Sequence, residues 1–427
     1  MKSRPSAHRS RSSKSAASDG SASKFAITDW ENDDWSANID EEEPDSRRIR
    51  SIENIPQPAA LSRVHSSTSS IAPSKSPHSR DCSVDSRAQN DAQLNAEIEE
   101  INARLARITK FKSILRQPVI DLAALRKLAW AGIPDELRPQ AWKLLLGYLP
   151  KNSNRREETL RRKRQDYLDG LETVFSRPLD QVMWHQISID VPRTNPHIPL
   201  YTHHTTQKAL ERILYLWAVR HPASGYVQGI NDLVTPFFQV FLSEYIDADD
   251  ITDYDPKSLA KNDLNAIEAD CYWCLTKLLD GIQDNYIQAQ PGIQRQVAEL
   301  RDLTKRIDST LAAHLEHENV EFIQFSFRWM NCLLMRELSI DNIIRMWDTY
   351  MAEEPLGFSR FHVFVCAALL VKFSSELQQM DFQDIMIFLQ SIPTGDWDEK
   401  NVELLLSEAY MWQTLFKDSS AHLKDNE

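Results

Sequence analysis

Over most of the chain, hydrophobic positions recur at helical spacing, and proline or glycine separates one run from the next. In LRPQAWKLLL, Leu137, Ala141, Leu144 and Leu145 fall on one face of a helix. β-branched residues seldom alternate with polar residues, as they would in half-buried strands. The pattern therefore predicts an all-α fold, with one multi-helix domain over residues 118–417.

A shorter apolar stripe precedes this domain, within residues 91–117. Its members are spaced by 4, 3, 4 and 3 positions, which predicts an amphipathic helix: Leu94, Ile98, Ile101, Leu105 and Ile108. Two heptads are too few to sustain a coiled coil alone, so we expect this helix to pack on the main domain. Dimerisation through the stripe is the alternative.

The N-terminal segment, residues 1–90, has a different composition. It contains 22 serines and few aliphatic residues, which is typical of chains that stay disordered. We also expect residues 418–427 to be disordered. Within the tail, Trp30 and Trp35 lie among carboxylates, which suits either a peptide that docks into an adaptor protein or an accident of a tolerant segment.

The charge of the chain excludes some partners. Residues 1–90 hold 13 Lys and Arg against 13 Asp and Glu, so the formal charge of −13 belongs to residues 91–427. An acidic domain without a basic stripe argues against nucleic acid as a partner. The basic run Arg155–Gln165 is interpreted as a solvated helix face rather than as a membrane-binding patch.

Other features of the sequence indicate a cytoplasmic protein. Five cysteines do not form a disulfide framework, and no signal peptide is evident. No apolar run reaches the roughly 18 residues of a membrane span, so any membrane association is peripheral or through a partner.

Neither a metal nor a nucleotide site is predicted. Cys271 and Cys274 form a C-x-x-C, and His314 and His317 an H-x-x-H, but their separation does not fit a zinc finger. Both pairs are expected to be buried in helices. No glycine precedes a lysine, so the chain has no phosphate-binding loop of the G-x-x-x-x-G-K-[ST] type.

One proline-rich segment, ISIDVPRTNPHIPLY, interrupts the helical pattern. Pro192 disfavours helical geometry at Val191, so the segment is expected to be irregular and to hold Arg193 off any helix. Asp190 lies three residues earlier, and a carboxylate there could orient the guanidinium. A plain structural ion pair is the alternative interpretation.

The connection that follows this segment has a geometric consequence. A helix predicted from Thr205 to Arg220 is about 24 Å long, and the residues between Arg193 and Thr205 can span up to about 36 Å. The segment can therefore return beside the helix to its far end, where the turn HPASG leads to Tyr226 and Gln228. An arginine and a glutamine could then converge on one surface.

Three motifs, LRPQAWKLLL, ISIDVPR and GYVQGINDL, together resemble the signature motifs of the TBC domain, a family of GTPase-activating proteins for Rab GTPases. Later segments such as IIRMWDTY resemble the subgroup of TBC domain family member 22 and its fungal Ypt-directed relatives. The resemblance implies that Arg193 is an arginine finger. It also implies that Gln228 is a glutamine finger that orients the attacking water.

The resemblance assigns supporting roles as well. Asp190 would hold Arg193, while Tyr226, Arg138 and Trp142 would shape or support the site, with Trp142 in the core rather than in contact. The chain would stimulate its partner's GTPase rather than be an enzyme itself, and GTP and Mg²⁺ would belong to that partner. The subgroup implies a role in vesicle traffic and a peripheral Golgi setting. A Rab-binding or scaffold module without catalytic effect is the alternative function.

Overall fold

A computed structural model of the chain describes residues 83–247, 250–353 and 355–416. Of residues 83–93, 96 and 97 only the helical backbone is described. The interpretations of the acidic tryptophan segment and of residues 418–427 lie outside these residues. The first helix begins at Ser83, earlier than the predicted start at residue 91.

In the described part of the chain, helices form all the regular structure except an isolated bridge between Val119 and Asn152. The predicted all-α class is confirmed. The helices of the first half are α1 Ser83–Leu115, α2 Leu122–Ala129, α3 Arg138–Leu145, α4 Arg156–Phe175, α5 Gln181–Asp190, α6 Pro199–Thr202, α7 His204–Arg220, α8 Ile230–Leu233 and α9 Thr235–Leu242.

The second half continues the same architecture. Its helices are α10 Lys261–Asp280, α11 Pro291–Ile307, α12 Ser309–His317, α13 Phe322–Asn331, α14 Ile340–Ala352, α15 His362–Lys372, α16 Ser374–Leu377, α17 Phe382–Gln390 and α18 Glu399–Phe416. A short π-helical segment, Gly357–Phe361, precedes α15.

Local sequence signals account for many helix boundaries. Side-chain oxygens of Asp121, Asp180 and Ser339 accept hydrogen bonds from the first free backbone N–H groups of α2, α5 and α14. Proline occupies the first turn of α3 and α9, where its missing N–H would have no partner anyway. These five helices therefore begin where the sequence supplies a cap or a proline.

The centre of the core is aromatic. Trp142 of α3, Phe237 of α9 and Trp347 of α14 are fully buried, with ring centroids 5.2–6.0 Å apart. Trp142 is therefore a core residue, as the sequence favoured. Because three helices distant in sequence contribute to this cluster, it joins the two halves of the domain.

Two expectations about apolar segments are corrected. The stripe on α1 does not pack on the domain, because four of its members are 47–58 % exposed: Leu94, Ile98, Ile101 and Leu105. The face of α1 that does pack carries Phe111 and Leu115, about 90° around the helix from the stripe. The segment YVQGINDLVTPFFQVFL is apolar nearly all round, which predicts one buried helix, but it forms two buried helices, α8 and α9, because Pro236 cannot donate a helical hydrogen bond.

The basic run Arg155–Gln165 is also more than a solvated face. Lys163 of α4 is buried, with its ammonium 4.2 Å from the centre of the Trp273 ring. Arg164 forms an ion pair with the buried carboxylate of Asp270 at 2.7 Å. These two cations face α10 because one side of α4 packs there, so helical periodicity directs part of the run inward.

Candidate functional site

Arg193 lies in a single 3₁₀ turn, Val191–Arg193, that directly follows α5. The expectation that Ile187–Tyr201 contains no helix is therefore wrong at both ends, since α5 reaches Asp190 and α6 includes Tyr201. Val191 is helical, with φ −57° and ψ −47°, rather than extended. Pro192 is tolerated because the first N–H groups of a helical turn have no partner.

The side chain of Arg193 is exposed, and among the described residues it forms no hydrogen bond or ion pair. The expectation that Asp190 holds Arg193 is not met. Asp190 instead points into the protein at the end of α5 and accepts hydrogen bonds from the residues that precede α8. The guanidinium of Arg193 thus keeps its donors available for a partner.

Asp190 links the two predicted finger segments. Its carboxylate accepts a hydrogen bond from the Tyr226 hydroxyl at 3.0 Å, and the Gln228 amide nitrogen lies 3.5 Å away. Burial and the neighbouring negative charge of Asp190 raise the pKa of Tyr226 far above its ordinary value. Tyr226 therefore remains a neutral donor at physiological pH.

Asn231 forms a second link that the sequence had not indicated. Its amide nitrogen donates to the Thr194 hydroxyl at 2.9 Å, and its amide oxygen accepts from the Gly229 backbone N–H at 2.9 Å. Thr194 follows Arg193, and Gly229 follows Gln228. A single buried amide therefore links the segment that carries Arg193 to the loop that carries Gln228.

Gly229 allows the loop before α8 to come close to α13. Its φ is +110°, and a Cβ atom there would lie 2.3 Å from the amide nitrogen of Asn331. The same Asn331 nitrogen donates to the backbone carbonyl of Gln228 at 2.9 Å. The main chain of Gln228 is thus anchored, whereas its side chain is exposed.

A buried ion pair borders the network. Asp232 is buried next to Asn231, and desolvation raises the pKa of its carboxyl group, while its contact with the Arg336 guanidinium at 2.9 Å opposes the shift. Arg336 is 44 % exposed, so its charge also contributes to the surface beside the network. The Arg336 charge at this surface is therefore paired with the buried Asp232 carboxylate.

Arg138 and Trp142 belong to a different cluster. The buried carboxylate of Asp348 accepts from Arg138 at 3.2 Å, from the Trp142 indole nitrogen at 2.6 Å and from the Ile133 backbone at 2.8 Å. Burial raises the pKa of Asp348. None of these partners belongs to the network around Asp190. The arrangement supports a structural role for Arg138 and Trp142, through the packing of α3 on α14.

The candidate metal pairs do not form a site. In the described ranges, no group of three or more His, Cys, Asp or Glu residues is placed to hold a metal ion. Cys271 and Cys274 are buried free thiols, as expected. His317 is exposed, contrary to the expectation that both histidines are buried, because it lies on the opposite side of α12 from the buried Leu315. No helix in the described residues is long and apolar enough to cross a membrane.

Comparison with known sequences identifies the family. The family model described as the Rab-GTPase-TBC domain matches residues 135–378, more than half of the chain. The chain belongs to this family. All of the predicted site residues, from Arg138 to Gln228, lie within the matched range.

The relatives agree with the predicted subgroup. The chain is 64 % identical over 336 residues to the GTPase-activating protein gyp1 of Schizosaccharomyces pombe, covering 78 % of this chain and 65 % of the relative. It is 47 % identical over 376 residues to TBC1 domain family member 22A of Mus musculus, covering 87 % of this chain and 70 % of that protein. The predicted resemblance to member 22 and its fungal relatives is confirmed.

A solved structure is also similar. It is described as the crystal structure of the Ypt/Rab-GAP domain of Gyp1p, and it shares 55 % identity with this chain at a TM-score of 0.71. The match covers 73 % of this chain and 99 % of that domain. The TBC fold is therefore shown for this chain.

Proposed function

We propose that this protein is a GTPase-activating protein for a Rab-family small GTPase and that Arg193 and Gln228 complete the partner's active site in trans. One observation carries the proposal. Arg193 is exposed and has no partner among the described residues, and the turn that carries it is linked through Asp190 and Asn231 to the loop that carries the exposed Gln228. The names of the relatives, which refer to GTPase activation and to Ypt or Rab, support the same function.

The chemistry of GTP hydrolysis suits an arginine at this position. Negative charge spreads over the γ-phosphoryl oxygens in the transition state, and a planar guanidinium stabilises that charge more than the ground state. Within the described part of the chain the Arg193 guanidinium has no partner, so it can meet the phosphate without first breaking an ion pair there. A finger of this kind contributes on the order of 10³ to 10⁵ in rate, or about 4 to 7 kcal/mol.

Glutamine suits the second task because its amide is both a donor and an acceptor. It can accept a hydrogen bond from the attacking water and donate one to a phosphate oxygen. The anchored backbone of Gln228 fixes where the side chain starts, and its weak contact with Asp190 at 3.5 Å is easily exchanged for a substrate contact. In this proposal GTP and Mg²⁺ belong to the partner, and the chain contributes no cofactor of its own.

The test is single-turnover GTP hydrolysis by a panel of Rab proteins, with and without this chain. We expect one or more Rabs to respond and Arg193→Ala and Gln228→Ala to abolish most of the stimulation. Arg193→Lys should also lose most of it, since an ammonium lacks the planar fork. Arg116→Ala, a change at another exposed arginine, is the control.

Stability measurements separate this function from its rival. Because Arg193 is exposed and without a partner among the described residues, its replacement should change the free energy of unfolding by no more than about 0.5 kcal/mol. A variant that melts normally yet keeps full stimulation contradicts the arginine-finger assignment. Binding of a Rab without any stimulation by the wild-type chain would indicate a scaffold.

We further propose that residues 1–90 recruit the protein peripherally to Golgi membranes through an adaptor, in a role in vesicle traffic. The membership of the member 22 subgroup and the acidic segment with Trp30 and Trp35 support this. Removing residues 1–90 should weaken co-sedimentation with Golgi membranes and leave the hydrolysis rate constant in solution unchanged.

A further inference from the structure

The outward face of α13 carries two large apolar side chains that no other described helix covers. Ile323 is 43 % exposed and Phe327 is 38 % exposed. The opposite face of the same helix is buried, so these two side chains lie on its solvent side. Residues four apart lie above one another on a helix, so the two side chains form one continuous stripe. Adjacent exposed apolar side chains of this size indicate a binding surface more often than isolated ones do.

The stripe leads directly to the glutamine finger. Asn331 is the next residue at the same four-residue spacing, and its amide nitrogen donates to the backbone carbonyl of Gln228 at 2.9 Å. At 1.5 Å per residue, Phe327 lies about 6 Å and Ile323 about 12 Å along the helix axis from Asn331. The apolar surface therefore begins about one helical turn from the loop that carries Gln228.

The size of a protein interface decides whether a GTPase would reach this stripe. A standard interface covers about 800 Å² on each partner, which corresponds to a circle with a radius of about 16 Å. A GTPase that brings its γ-phosphate to Arg193 and Gln228 would be centred close to this loop. Both Phe327 and Ile323 then fall within its expected footprint.

The surroundings of the stripe favour an apolar contact. Arg328, the nearest cation on α13, is neutralised by a two-pronged ion pair with Glu337 at 2.7–2.8 Å. Its guanidinium also donates to the Gln390 carbonyl at the end of α17, while Glu318 accepts from the Phe382 backbone at the start of α17. These two bonds hold the end of α17 against Arg328 and its start near the segment that precedes α13.

We propose that Ile323 and Phe327 form a docking surface for apolar side chains of the GTPase next to its nucleotide site. The inference rests on the proposed function and adds a residue pair that sets affinity for the partner. Contacts of this kind form equally in the ground state and the transition state, so they contribute to binding and leave the chemical step unchanged.

Direct binding tests the proposal. The probe is each Rab that binds the wild-type chain, loaded with a non-hydrolysable GTP analogue, and the variants are Ile323→Ser and Phe327→Ser in the full chain. We expect each change to raise Kd about tenfold, which corresponds to about 1.4 kcal/mol. In hydrolysis assays, KM should rise similarly while kcat stays within about twofold. Leu404→Ser, at an apolar residue of α18 that is 60 % exposed, is the matched control and should change neither.

The outcomes separate this inference from the function on which it rests. Unchanged Kd for both stripe variants overturns the docking surface, even where the wild-type chain stimulates hydrolysis. Full stimulation by Arg193→Ala overturns the finger mechanism, and the stripe is still judged by Kd. Absence of binding to every Rab overturns both. Thermal melts that match the wild type confirm that a loss of binding is not a loss of folding.

Discussion

Gly229→Ala provides a demanding test of how the loop before α8 is held. The glycine has φ +110°, a region that residues with a Cβ atom rarely adopt. An added Cβ would lie 2.3 Å from the Asn331 amide nitrogen and 3.1 Å from the Cys332 sulfur. Since ordinary contacts begin at 3.4 Å, the loop or the amide must move by about 1 Å.

The expected effect on stability combines two terms. Left-handed geometry costs an alanine about 1 to 2 kcal/mol, and loss of the hydrogen bond from Asn331 to Gln228 removes about 0.5 to 1.5 kcal/mol. The free energy of unfolding should therefore fall by about 1.5 to 3.5 kcal/mol. The effect on catalysis should be larger, because a misplacement of about 1 Å at a reacting group lowers rates by about 10²-fold.

A second glycine in the same loop provides the control. Gly225 also has a positive φ, +61°, but a Cβ there would meet no atom within 4 Å. Gly225→Ala should therefore show only the conformational term, about 1 to 2 kcal/mol, and little change in kcat. Urea unfolding measures the first quantity, and single-turnover GTP hydrolysis at saturating chain measures the second.

The comparison between the two alanine variants can refute the reasoning. If Gly229→Ala and Gly225→Ala lose the same stability and the same rate, the close approach of the loop to α13 does not position Gln228. If Gly229→Ala alone loses rate while both remain folded, backbone placement of the finger is supported.

Two further predictions concern buried polar groups. Tyr226→Phe removes the donor to the Asp190 carboxylate and should lower the free energy of unfolding by about 1.5 to 3 kcal/mol; an unchanged urea midpoint would contradict this. His362 is buried with its pKa lowered to about 4 by desolvation, below an unfolded value of about 6.5. Stability present above pH 6.5 should therefore be lost as the pH falls towards 4, by about 2 kcal/mol at pH 5. His362→Asn should flatten that dependence in urea titrations at pH 7 and pH 5, and an equal slope in both proteins would exclude His362 as the cause.

Helical periodicity was enough to predict the fold class and several boundaries. α7 begins only one residue before the predicted start at Thr205, because the apolar spacing and the turn HPASG mark both ends. The fold class and these boundaries depend on residues close together in the sequence, so the spacing of apolar residues is enough to predict them. The burial of Trp142 was implied by the family resemblance, because its position lies outside the apolar face of Leu137, Ala141, Leu144 and Leu145.

Features that depend on contacts between distant segments could not be predicted. Asp190 and Arg193 are three residues apart, yet Asp190 turns inward to bond residues about 36 positions later and leaves Arg193 exposed. The stripe from Leu94 to Leu105 has the period of a packed helix, but the rotation of α1 on the domain is set by Phe111 and Leu115. Sequence spacing defines which residues share a face, but it does not say which face meets the protein.

The separation between an anchored backbone and free side chains at Arg193 and Gln228 has a consequence for genetics. Because neither side chain supports the fold, replacements there should leave cellular protein levels normal. A large-scale variant screen scored by abundance would miss both positions, whereas it would detect Gly229, whose close packing holds the loop. In such data, the two proposed finger positions would be found only by scoring stimulation of a Rab GTPase.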